Sequence, residues 1–360
     1  FAVYDFCERR LGVDPLWFWS GVAHPRAKTL AWDDVAFAQG SPTVRFRGWF
    51  VNDEDLLTKW MPASGMRDYM DYPYYSNVVS HVAMEAVAEA MVRTRMNFTI
   101  PASFLNIMRP AEAGIAAVCA RRGLYVSMHH IEPMGVSGFA FKDYWRKRGR
   151  DLVYSYLSHP AEVEEVWRAF AARWAKLPNV IWQIGLRGTG DRAIWQDDPT
   201  MPKDDAGRAA IINRAMARQV EILDELGVPK ENRRVTTTLW GEGTYFNEKG
   251  LLKIPAGTTV VFADNNCGWK WGEDLVSARR EPNRLTYGTY YHHQLILAGP
   301  HLVTLIPASK TCSMLREAMA HGASEYAVFN VGNVREFIYG LDATAKMTWN
   351  LAAFDPAAWE

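Results

Sequence analysis

The sequence lacks several features that would assign it to a specialised class of protein. It has no uninterrupted apolar run of about 20 residues, so no transmembrane helix is predicted. Basic and acidic residues number 40 each, so no overall charge favours nucleic acid or an acidic membrane surface. Its 4 cysteines are widely spaced without a CxxC pair, which argues against a zinc cluster and predicts buried free thiols. We therefore expect no nucleic-acid partner and no membrane span.

Signature motifs of several enzyme classes are missing as well. No GxGxxG follows the first predicted strand, which argues against a dinucleotide-binding domain. No serine lies in a nucleophile-elbow context, and no HxH or HExxH sequence specifies a metal site. We therefore expect no cofactor and no resident metal.

The chain has ample material for a hydrophobic core. At 360 residues, 49% of them apolar, it can build one large domain or two ordinary ones. It starts at Phe1 without a charged-then-apolar leader, so we expect a processed or trimmed piece whose compartment cannot be read from a signal. Residues 1–40 form an entry segment with a helix predicted over 1–10. No linker rich in Pro, Gly or Ser interrupts residues 43–349, so one domain is predicted over 41–360.

Eight short apolar runs, each bounded by polar residues, predict buried strands. The first is 49–51, ending at Asn52, and the others are 97–100, 124–130, 179–186, 234–240, 258–263, 285–292 and 325–331. Helical patterns or long loops separate them; 56–75 and the segment after His130 are predicted as loops, and 247–253 as a short helix. Several strands are apolar on both faces, as in parallel sheets covered by helices. The pattern predicts an α/β protein with a (β/α)8 TIM barrel rather than an open sheet.

Polar and aromatic side chains follow almost every predicted strand. In barrels of this class the active site lies at the carboxyl ends of the strands, so these side chains should converge. The set is Asn52, Asp53, Glu54, Asp55, His129, His130, Glu132, Arg187, Asp191, Trp240, Glu242, Asp264, Asn265, Asn266, Tyr290, Tyr291, His292, His293, Asn330 and Asn333. Neighbouring strand residues point to opposite faces, so only one histidine of each adjacent pair should face the mouth.

Each of these residues also has a purely structural interpretation. The acids after Asn52 could form a solvated turn, and His129 and His130 could be a core histidine and its neighbour. Glu242, between two glycines, could be an ordinary loop acid. Arg187 precedes a glycine-rich turn, although an arginine beside glycines also suits an anion clamp. Convergence on one barrel face favours a site over these alternatives.

Carboxylates around a polar, aromatic-lined mouth, without an evident nucleophile or cofactor, are typical of glycoside hydrolysis. One acid protonates the leaving oxygen while another residue activates water or attacks the sugar, and their separation decides inversion or retention. Arg187 and the histidines additionally suit a substrate that carries its own carboxylate. The sequence therefore predicts a glycoside hydrolase for an acidic sugar.

Motifs spread along nearly the whole chain resemble glycoside hydrolase family 115, the α-glucuronidases that remove (4-O-methyl)glucuronic acid from xylan. In order they are YDF (4–6), GVDPLW (12–17), RGWFVNDED (47–55), NFTIPA (97–102), HIEPM (130–134), GLRGTGD (185–191), Glu242 with GL (250–251), ADNN (263–266), GTYYH (288–292), GP (299–300) and NVG (330–332). The resemblance implies a (β/α)8 catalytic domain preceded by a smaller α/β domain, of which residues 1–40 would be the tail. It also implies an exo-acting, inverting mechanism on an acidic glycan, without a cofactor, in a secreted or periplasmic protein.

The resemblance also implies roles for individual residues. Glu132 and Glu242 match family acids that line the sugar pocket, and Asp264 lies in the acidic motif of the sixth barrel strand, so these three form the predicted catalytic pool with roles unassigned. The predicted substrate-binding residues are Asn52, Asp53, Glu54, His130, Arg187, Asp191, Trp240, Asn265, Tyr291, His292 and Asn330. Trp240 and the 56–75 loop are expected at the rim.

The chain departs from the family at two positions that are usually acidic, where it has Asn265 and Asn333. These departures keep other interpretations open. One is an exo-glycosidase for another acidic sugar, such as sialic or galacturonic acid. Another is a catalytically degenerate carbohydrate-binding protein, and a third is a lyase or a metal-dependent hydrolase that uses the histidines. A homodimer is one expectation for the assembly.

Overall fold

The computed structural model describes residues 2–23, 27–31, 40–52, 54–72, 74–293 and 306–359. Within these residues there are ten strands: β1 (Phe46–Phe50), β2 (Gly65–Met66), β3 (Asn77–Val78), β4 (Phe98–Ile100), β5 (Tyr125–Ser127), β6 (Val180–Gln183), β7 (Arg234–Leu239), β8 (Thr258–Ala263), β9 (Thr286–His292) and β10 (Tyr326–Asn330). Eight of them close into a parallel barrel in the order β1-β10-β9-β8-β7-β6-β5-β4, and β2 and β3 form a separate antiparallel pair. The predicted (β/α)8 barrel is confirmed.

Helices surround the barrel and fill the connections between its strands. They are α1 (Ala2–Arg10), α2 (Trp17–Ser20), α3 (Glu54–Trp60), α4 (His81–Arg93), α5 (Pro110–Arg121), α6 (Gly138–Arg146), α7 (Pro160–Trp174), α8 (Asp205–Glu225), α9 (Glu242–Glu248), α10 (Asp274–Ser277), α11 (Ala308–Ala320), α12 (Ile338–Trp349) and α13 (Pro356–Trp359). Within the described ranges, none of these helices is long and apolar enough to cross a membrane.

The interior of the barrel is packed with side chains at the end opposite the mouth. The rings of Phe98 and Tyr326 stack there with centroids 4.4 Å apart. Two neighbouring positions are glycine, and a Cβ at Gly48 or Gly288 would overlap Phe98 or Tyr326 respectively. Glycine is needed at both positions because a Cβ would overlap the backbone carbonyl of the neighbouring strand, together with the Phe98 ring at Gly48 and the Tyr326 Cβ at Gly288. The packed rings close the barrel, so it is not an open channel.

Three local predictions differ from the structure. The helix expected over 247–253 begins earlier, at Glu242, directly after Gly241, which adopts a φ of +56°. The segment after His130 contains α6, whose first turn is capped by the Ser137 hydroxyl accepting from the Ala140 N–H. The 56–75 loop is partly regular, because α3 continues to Trp60 and β2 follows.

The predicted entry segment is tied to the barrel where the structure describes it. Arg95, just after α4, forms an ion pair with Asp5 of α1. The indole N–H of Trp19 in α2 donates to the Ala86 carbonyl of α4, 3.4 Å away. The boundary near residue 40 stays a prediction.

Candidate active site

Arg187 lies at the centre of the polar residues that gather at the barrel mouth. It follows β6 in the run GLRGTGD. Its Nε donates to Asp191 Oδ1 (2.7 Å), and its Nη2 donates to the Asp191 carbonyl (2.7 Å). Its Nη1 donates to Oε2 of Glu242, which begins α9 on the neighbouring β7–α9 unit. One guanidinium group therefore holds two carboxylates, each through different nitrogens.

Three side chains contact the carboxylate of Asp191 at the mouth. Its backbone adopts a φ of +65°, in the left-handed region, immediately after Gly190. Besides Arg187, Oδ1 lies 3.2 Å from His130 Nε2, and Oδ2 accepts from the Trp240 indole N–H at 3.1 Å. Burial acts to raise the pKa of Asp191, but His130 and Arg187 outweigh it and hold that pKa well below its usual range. Since 34% of the side chain is exposed, the site presents an accessible carboxylate that is ionised at neutral pH.

Glu242 has the opposite electrostatic environment although it shares the same cation. Only 7% of its side chain is exposed, and Oε1 has no hydrogen-bond partner among the described residues. Burial raises the pKa of Glu242, and Arg187 offsets that rise only in part. Gly241 allows this approach, since a Cβ there would lie 3.0 Å from Arg187 Nη1. The two acids on Arg187 therefore have pKa values shifted in opposite directions.

The two histidines after β5 both face the inside of the barrel, which corrects the prediction that only one would. Their rings meet edge to face at 4.1 Å, and His129 packs on Phe50 at 4.3 Å. Strand β5 ends at Ser127, so the alternation of a strand no longer applies two residues later. Burial lowers the pKa of both rings, although Asp191 partly offsets this for His130. At neutral pH they are neutral hydrogen-bonding groups and add no positive charge for an anionic sugar.

Tyr290 lies at the mouth, whereas the predicted sugar ligand Tyr291 does not. Tyr291 is fully buried in the layer between barrel and helices, where its hydroxyl lies 3.0 Å from the Gly268 carbonyl and 3.1 Å from Thr311 Oγ1. Tyr290 instead packs against Phe50 and faces the other way. Side chains alternate between the two faces of β9, so Tyr290 faces the same side as His292 and Tyr291 faces the opposite side. With His292 placed inside the barrel, the sequence alone therefore indicates that Tyr290 lies at the mouth.

Asn330 and Trp240, both predicted for sugar binding, accompany Tyr290. The amide Nδ2 of Asn330 donates to the Tyr290 hydroxyl at 2.8 Å, and its Oδ1 has no partner within the described part of the chain. The Trp240 ring centroid lies 5.7 Å from Tyr290 and 5.3 Å from His130. These side chains form an amphipathic wall beside Asp191.

Asp264 is fully engaged by His292. Its Oδ1 lies 2.6 Å from His292 Nδ1, and its Oδ2 accepts from the His292 backbone N–H at 2.8 Å. Neither side chain is more than 1% exposed. The pair holds the His292 ring 5.2 Å from Trp240 and 4.4 Å from Tyr290. The structure thus makes Asp264 a positioning residue for His292, which lies at the mouth, while His293 stacks on Phe329 in the outer layer, as strand alternation predicts.

Glu132 is enclosed and does not open to the mouth. Only 1% of the residue is exposed, Oε2 accepts from the His129 N–H at 3.3 Å, and Oε1 has no partner among the described residues. Burial raises the pKa of Glu132 to about 8. Its carboxyl group is therefore protonated at neutral pH, and its hydrogen bond from the His129 N–H stabilises the turn that carries His129 and His130.

The remaining predicted binding residues fall in different environments. Asn52 is buried at the end of β1, where its Oδ1 accepts from the Ser103 hydroxyl at 2.7 Å. Asn265 is exposed, and its Oδ1 accepts from the backbone N–H groups of Trp269 and Lys270, so it shapes its own loop. Asp53 and the side chain of Glu54 lie outside the described residues.

An aromatic rim beside Asp191 includes two tyrosines of the 56–75 loop, which was expected at the rim, although the individual rings were not identified from the sequence. It consists of Tyr72, Tyr75, Phe104 and Phe139, whose ring centroids lie within about 6 Å of one another in successive pairs. A Cβ at Gly190 would lie 3.5 Å from Tyr72, which places this ring next to the Asp191 turn. The tyrosine-rich composition of residues 69–75 was the available signal.

A buried ion pair fastens this rim to the barrel. The Arg67 Nε donates to Glu112 Oε2 at 2.9 Å, and Arg67 Nη1 donates to the Tyr75 carbonyl at 2.9 Å. The Tyr69 hydroxyl donates to the same Glu112 carboxylate. Both charged side chains are at most 1% exposed, so each compensates the desolvation of the other.

In the described ranges, no group of three or more His, Cys, Asp or Glu side chains could hold a metal ion.

The family model that matches the chain, and two solved structures that share its fold, are all of glycoside hydrolases. The family model described as glycosyl hydrolase family 115 matches residues 39–360. No curated protein matches the chain. Among solved structures, a family 115 4-O-methyl-α-glucuronidase with specificity for decorated arabinogalactans aligns with a TM-score of 0.77 at 22% identity. The alignment covers 98% of this chain but 45% of that protein, so this chain spans less than half of its length.

A second solved structure shares the fold alone. A family 5 glycoside hydrolase from Prevotella bryantii B14 aligns with a TM-score of 0.50 at 12% identity. That alignment covers 91% of this chain and all of the other.

Proposed function

The chain belongs to glycoside hydrolase family 115, and from this premise we propose that it is an exo-acting hydrolase that releases glucuronic or 4-O-methylglucuronic acid from a decorated glycan such as glucuronoxylan. Family membership supports the reaction class. The solved 4-O-methyl-α-glucuronidase of the same family supports the acidic sugar. A secreted or periplasmic location stays a prediction from the family resemblance, and a homodimer stays a prediction.

The observation that carries the proposal is the pair of acids on Arg187. Two carboxyl groups whose environments push their pKa values apart identify an acid and a base. Glu242, whose pKa burial raises, is the group that donates a proton to the leaving glycosidic oxygen in this proposal. Asp191, ionised and partly exposed, accepts a proton from the attacking water. In this proposal water attacks directly and inverts the anomeric centre.

The choice of this pair departs from the catalytic pool expected from the sequence. Glu242 was in that pool, whereas Asp191 was predicted to bind substrate. Asp264 has both oxygens engaged by His292, and Glu132 is enclosed. A group that exchanges protons with substrate or water must reach it, which favours Asp191.

Arg187 can also contribute to binding an acidic sugar. A guanidinium group carries five N–H donors. Asp191 and Glu242 engage three of them, which leaves two without a partner within the described residues. We assign these two donors to the substrate carboxylate, with the neutral imidazoles and Trp240 contacting the rest of the ring.

The test of this function is the identity of the released sugar. The protein is incubated separately with glucuronoxylan, sialylated glycans and pectic fragments, and the released sugars are separated and identified. Release of a glucuronic acid from glucuronoxylan supports the proposal. Release of sialic or galacturonic acid alone would contradict the proposal and indicate an exo-glycosidase for that other acidic sugar.

A second candidate is a carbohydrate-binding protein that has lost hydrolysis. The observations that favour it are Asn265 and Asn333, at positions that are usually acidic in the family. Asn265 is engaged in its own loop, and Asn333 is buried after β10. Calorimetric binding of the glycan without any released sugar would establish this candidate over the enzyme.

A further inference from the structure

A cavity of about 330 Å³ lies beside the barrel mouth. This volume is at the lower end of the range of roughly 300–1,000 Å³ for small-molecule sites. The cavity is formed by α2, α3 and the segment after β10. Neither the family resemblance nor the proposed chemistry uses it.

The cavity lies near the carboxyl ends of β1 and β10, the same end of the barrel as the mouth. Strands β1 and β10 are neighbours, and Phe50 pairs with Asn330 at their carboxyl ends. Helix α3 begins four residues after Phe50, at Glu54. Asn333, which lines the cavity, follows Asn330 by three residues, a chain length that spans at most about 11 Å. The mouth and the cavity are therefore close enough for one oligosaccharide chain to reach both.

Two large aromatic rings line the cavity while remaining substantially exposed. Trp60 is 38% exposed and Phe18 is 42% exposed. Their rings meet edge to face at 5.2 Å, and the buried Trp19 supports Trp60 at 5.0 Å. Rigid aromatic rings lose little conformational entropy on binding, and their faces attract the positively polarised C–H groups of a sugar ring.

An unsatisfied amide points to a polar ligand in the same place. Asn333 is 1% exposed, and its Nδ2 has no hydrogen-bond partner among the described residues. Its Oδ1 accepts from the Glu336 N–H at 3.4 Å. A buried N–H group without an acceptor is destabilising, so a ligand hydroxyl at this position would be favourable.

The polar edge of the cavity carries charges of both signs. Lys59 and Arg335 are exposed on it, together with Glu336. Such an edge offers both donors and acceptors for hydroxyl groups, whereas a site for an anion would carry charge of one sign. Exposed rings, a buried amide and a mixed polar edge together match the chemistry of a neutral pyranose.

We propose that this cavity is a subsite for neutral sugar residues of the glycan backbone whose acidic branch is bound at the mouth. The inference rests on the proposed function for the link between the two sites. Trp60 and Phe18 stack on the sugar rings, and Asn333 Nδ2 donates to a hydroxyl group. The subsite thereby favours binding of glycans whose neutral backbone carries the acidic sugar as a branch.

The test is calorimetric titration with neutral oligosaccharides, using xylohexaose and a β-1,3-linked galactohexaose as probes. The wild-type protein binds at least one of them, and Trp60→Ala weakens that binding by about tenfold. Trp60→Phe, which keeps a ring, retains most of the affinity. Tyr339→Ala is the matched control, since Tyr339 is an aromatic residue that is 48% exposed and does not line the cavity; it binds as the wild type does.

Two results would overturn the subsite: a wild type that binds neither probe, or a Trp60→Ala variant that binds as tightly as the wild type. Should Trp60→Ala fail to fold by circular dichroism, Phe18→Leu and Asn333→Ala take its place, and wild-type binding by both would likewise overturn it. The titration needs no hydrolysis. Its outcome is therefore separate from the sugar-release test, and failure of one is distinguishable from failure of the other.

Discussion

Asp191 and Glu242, 51 positions apart by their numbering, are held by the same guanidinium group. Arg187 lowers the pKa of each, yet burial leaves the pKa of Glu242 above its usual value while that of Asp191 falls below its own. One cation therefore sustains a carboxylate and a protonatable acid side by side. This difference is the physical basis for assigning them as base and acid.

Replacement of Glu242 by glutamine tests its assignment as the general acid. Glutamine keeps the shape and cannot donate a proton to the leaving oxygen, so kcat should fall by at least ~100-fold on the natural glycan. Steady-state kinetics of sugar release give the value. Glu248→Gln is the control, because Glu248 is exposed at the end of the same helix. A kcat within a few-fold of the wild type in Glu242→Gln would remove Glu242 from the mechanism.

Replacement of Asp191 by asparagine tests its assignment as the base. The amide cannot accept a proton from water, so kcat should again fall by at least ~100-fold. Asp151→Asn serves as the control, since the Asp151 side chain is 79% exposed on the surface. Were Asp191→Asn to raise KM and leave kcat intact, Asp191 would be a binding residue only.

The pH profile of an Arg187→Met variant tests the shared cation. Arg187 lowers the pKa of both carboxyl groups, so its removal raises both. The acidic limb of kcat/KM follows the ionisation of Asp191, and the basic limb follows loss of the Glu242 proton. Both limbs should therefore move to higher pH in the residual activity of the variant. Limbs that stay in place or move to lower pH would show that Arg187 does not set these pKa values.

The adjacent tyrosines of β9 form a matched pair of substitutions. Tyr290→Phe removes the hydroxyl that accepts from Asn330 at the mouth, so kcat/KM should fall by roughly tenfold, as expected for one lost polar contact. Tyr291→Phe removes a hydroxyl that contacts Gly268 and Thr311 in the outer layer, and should lower the unfolding free energy by about 1 kcal/mol. Kinetics and urea unfolding of both variants provide the comparison. If instead Tyr291→Phe lowered kcat/KM and Tyr290→Phe lowered only the unfolding free energy, Tyr291 rather than Tyr290 would face the mouth.

The stability of a Glu132→Gln variant tests the enclosed carboxyl group. The pKa of Glu132 is raised by burial from 4.5 to about 8. The folded protein therefore holds a proton that the unfolded chain releases, and this stabilisation is fully present below pH ~4.5 and is lost as pH rises through about 8. Glutamine mimics the protonated form, so the loss of stability between pH 5 and pH 8 should be smaller in the variant. Urea midpoints at both pH values measure it, and an equal loss in both proteins would contradict the shift.

The barrel could be predicted from the sequence because its signal is local. Eight buried strands each read as a short apolar run, and strand β8 matches its predicted boundaries. The end of β5 was not predictable in this way, because residues 128–130 remain apolar or aromatic after the pairing has stopped. Loss of pairing also ended the alternation that was expected to separate His129 from His130.

The site was less predictable because its roles depend on contacts between distant segments. The sequence identified Arg187, Asp191, Trp240, Glu242 and His292 as members of one mouth, and the structure brings them together. It could not indicate that Asp264 is engaged by His292, because that contact follows from the register in which Ala263 pairs with Tyr290. Arg67 and Glu112 were missed for the same reason, since they meet only when the rim folds over α5.

The most direct test of the account follows the sugar released from glucuronoxylan by proton NMR, using the wild type, Asp191→Asn and Glu242→Gln. The account predicts that the wild type releases glucuronic or 4-O-methylglucuronic acid, seen first as the β anomer because an inverting enzyme acts on an α linkage. It also predicts that both variants are slower by at least ~100-fold. No released uronic acid from the wild type, or release that continues at the wild-type rate in both variants, would contradict it.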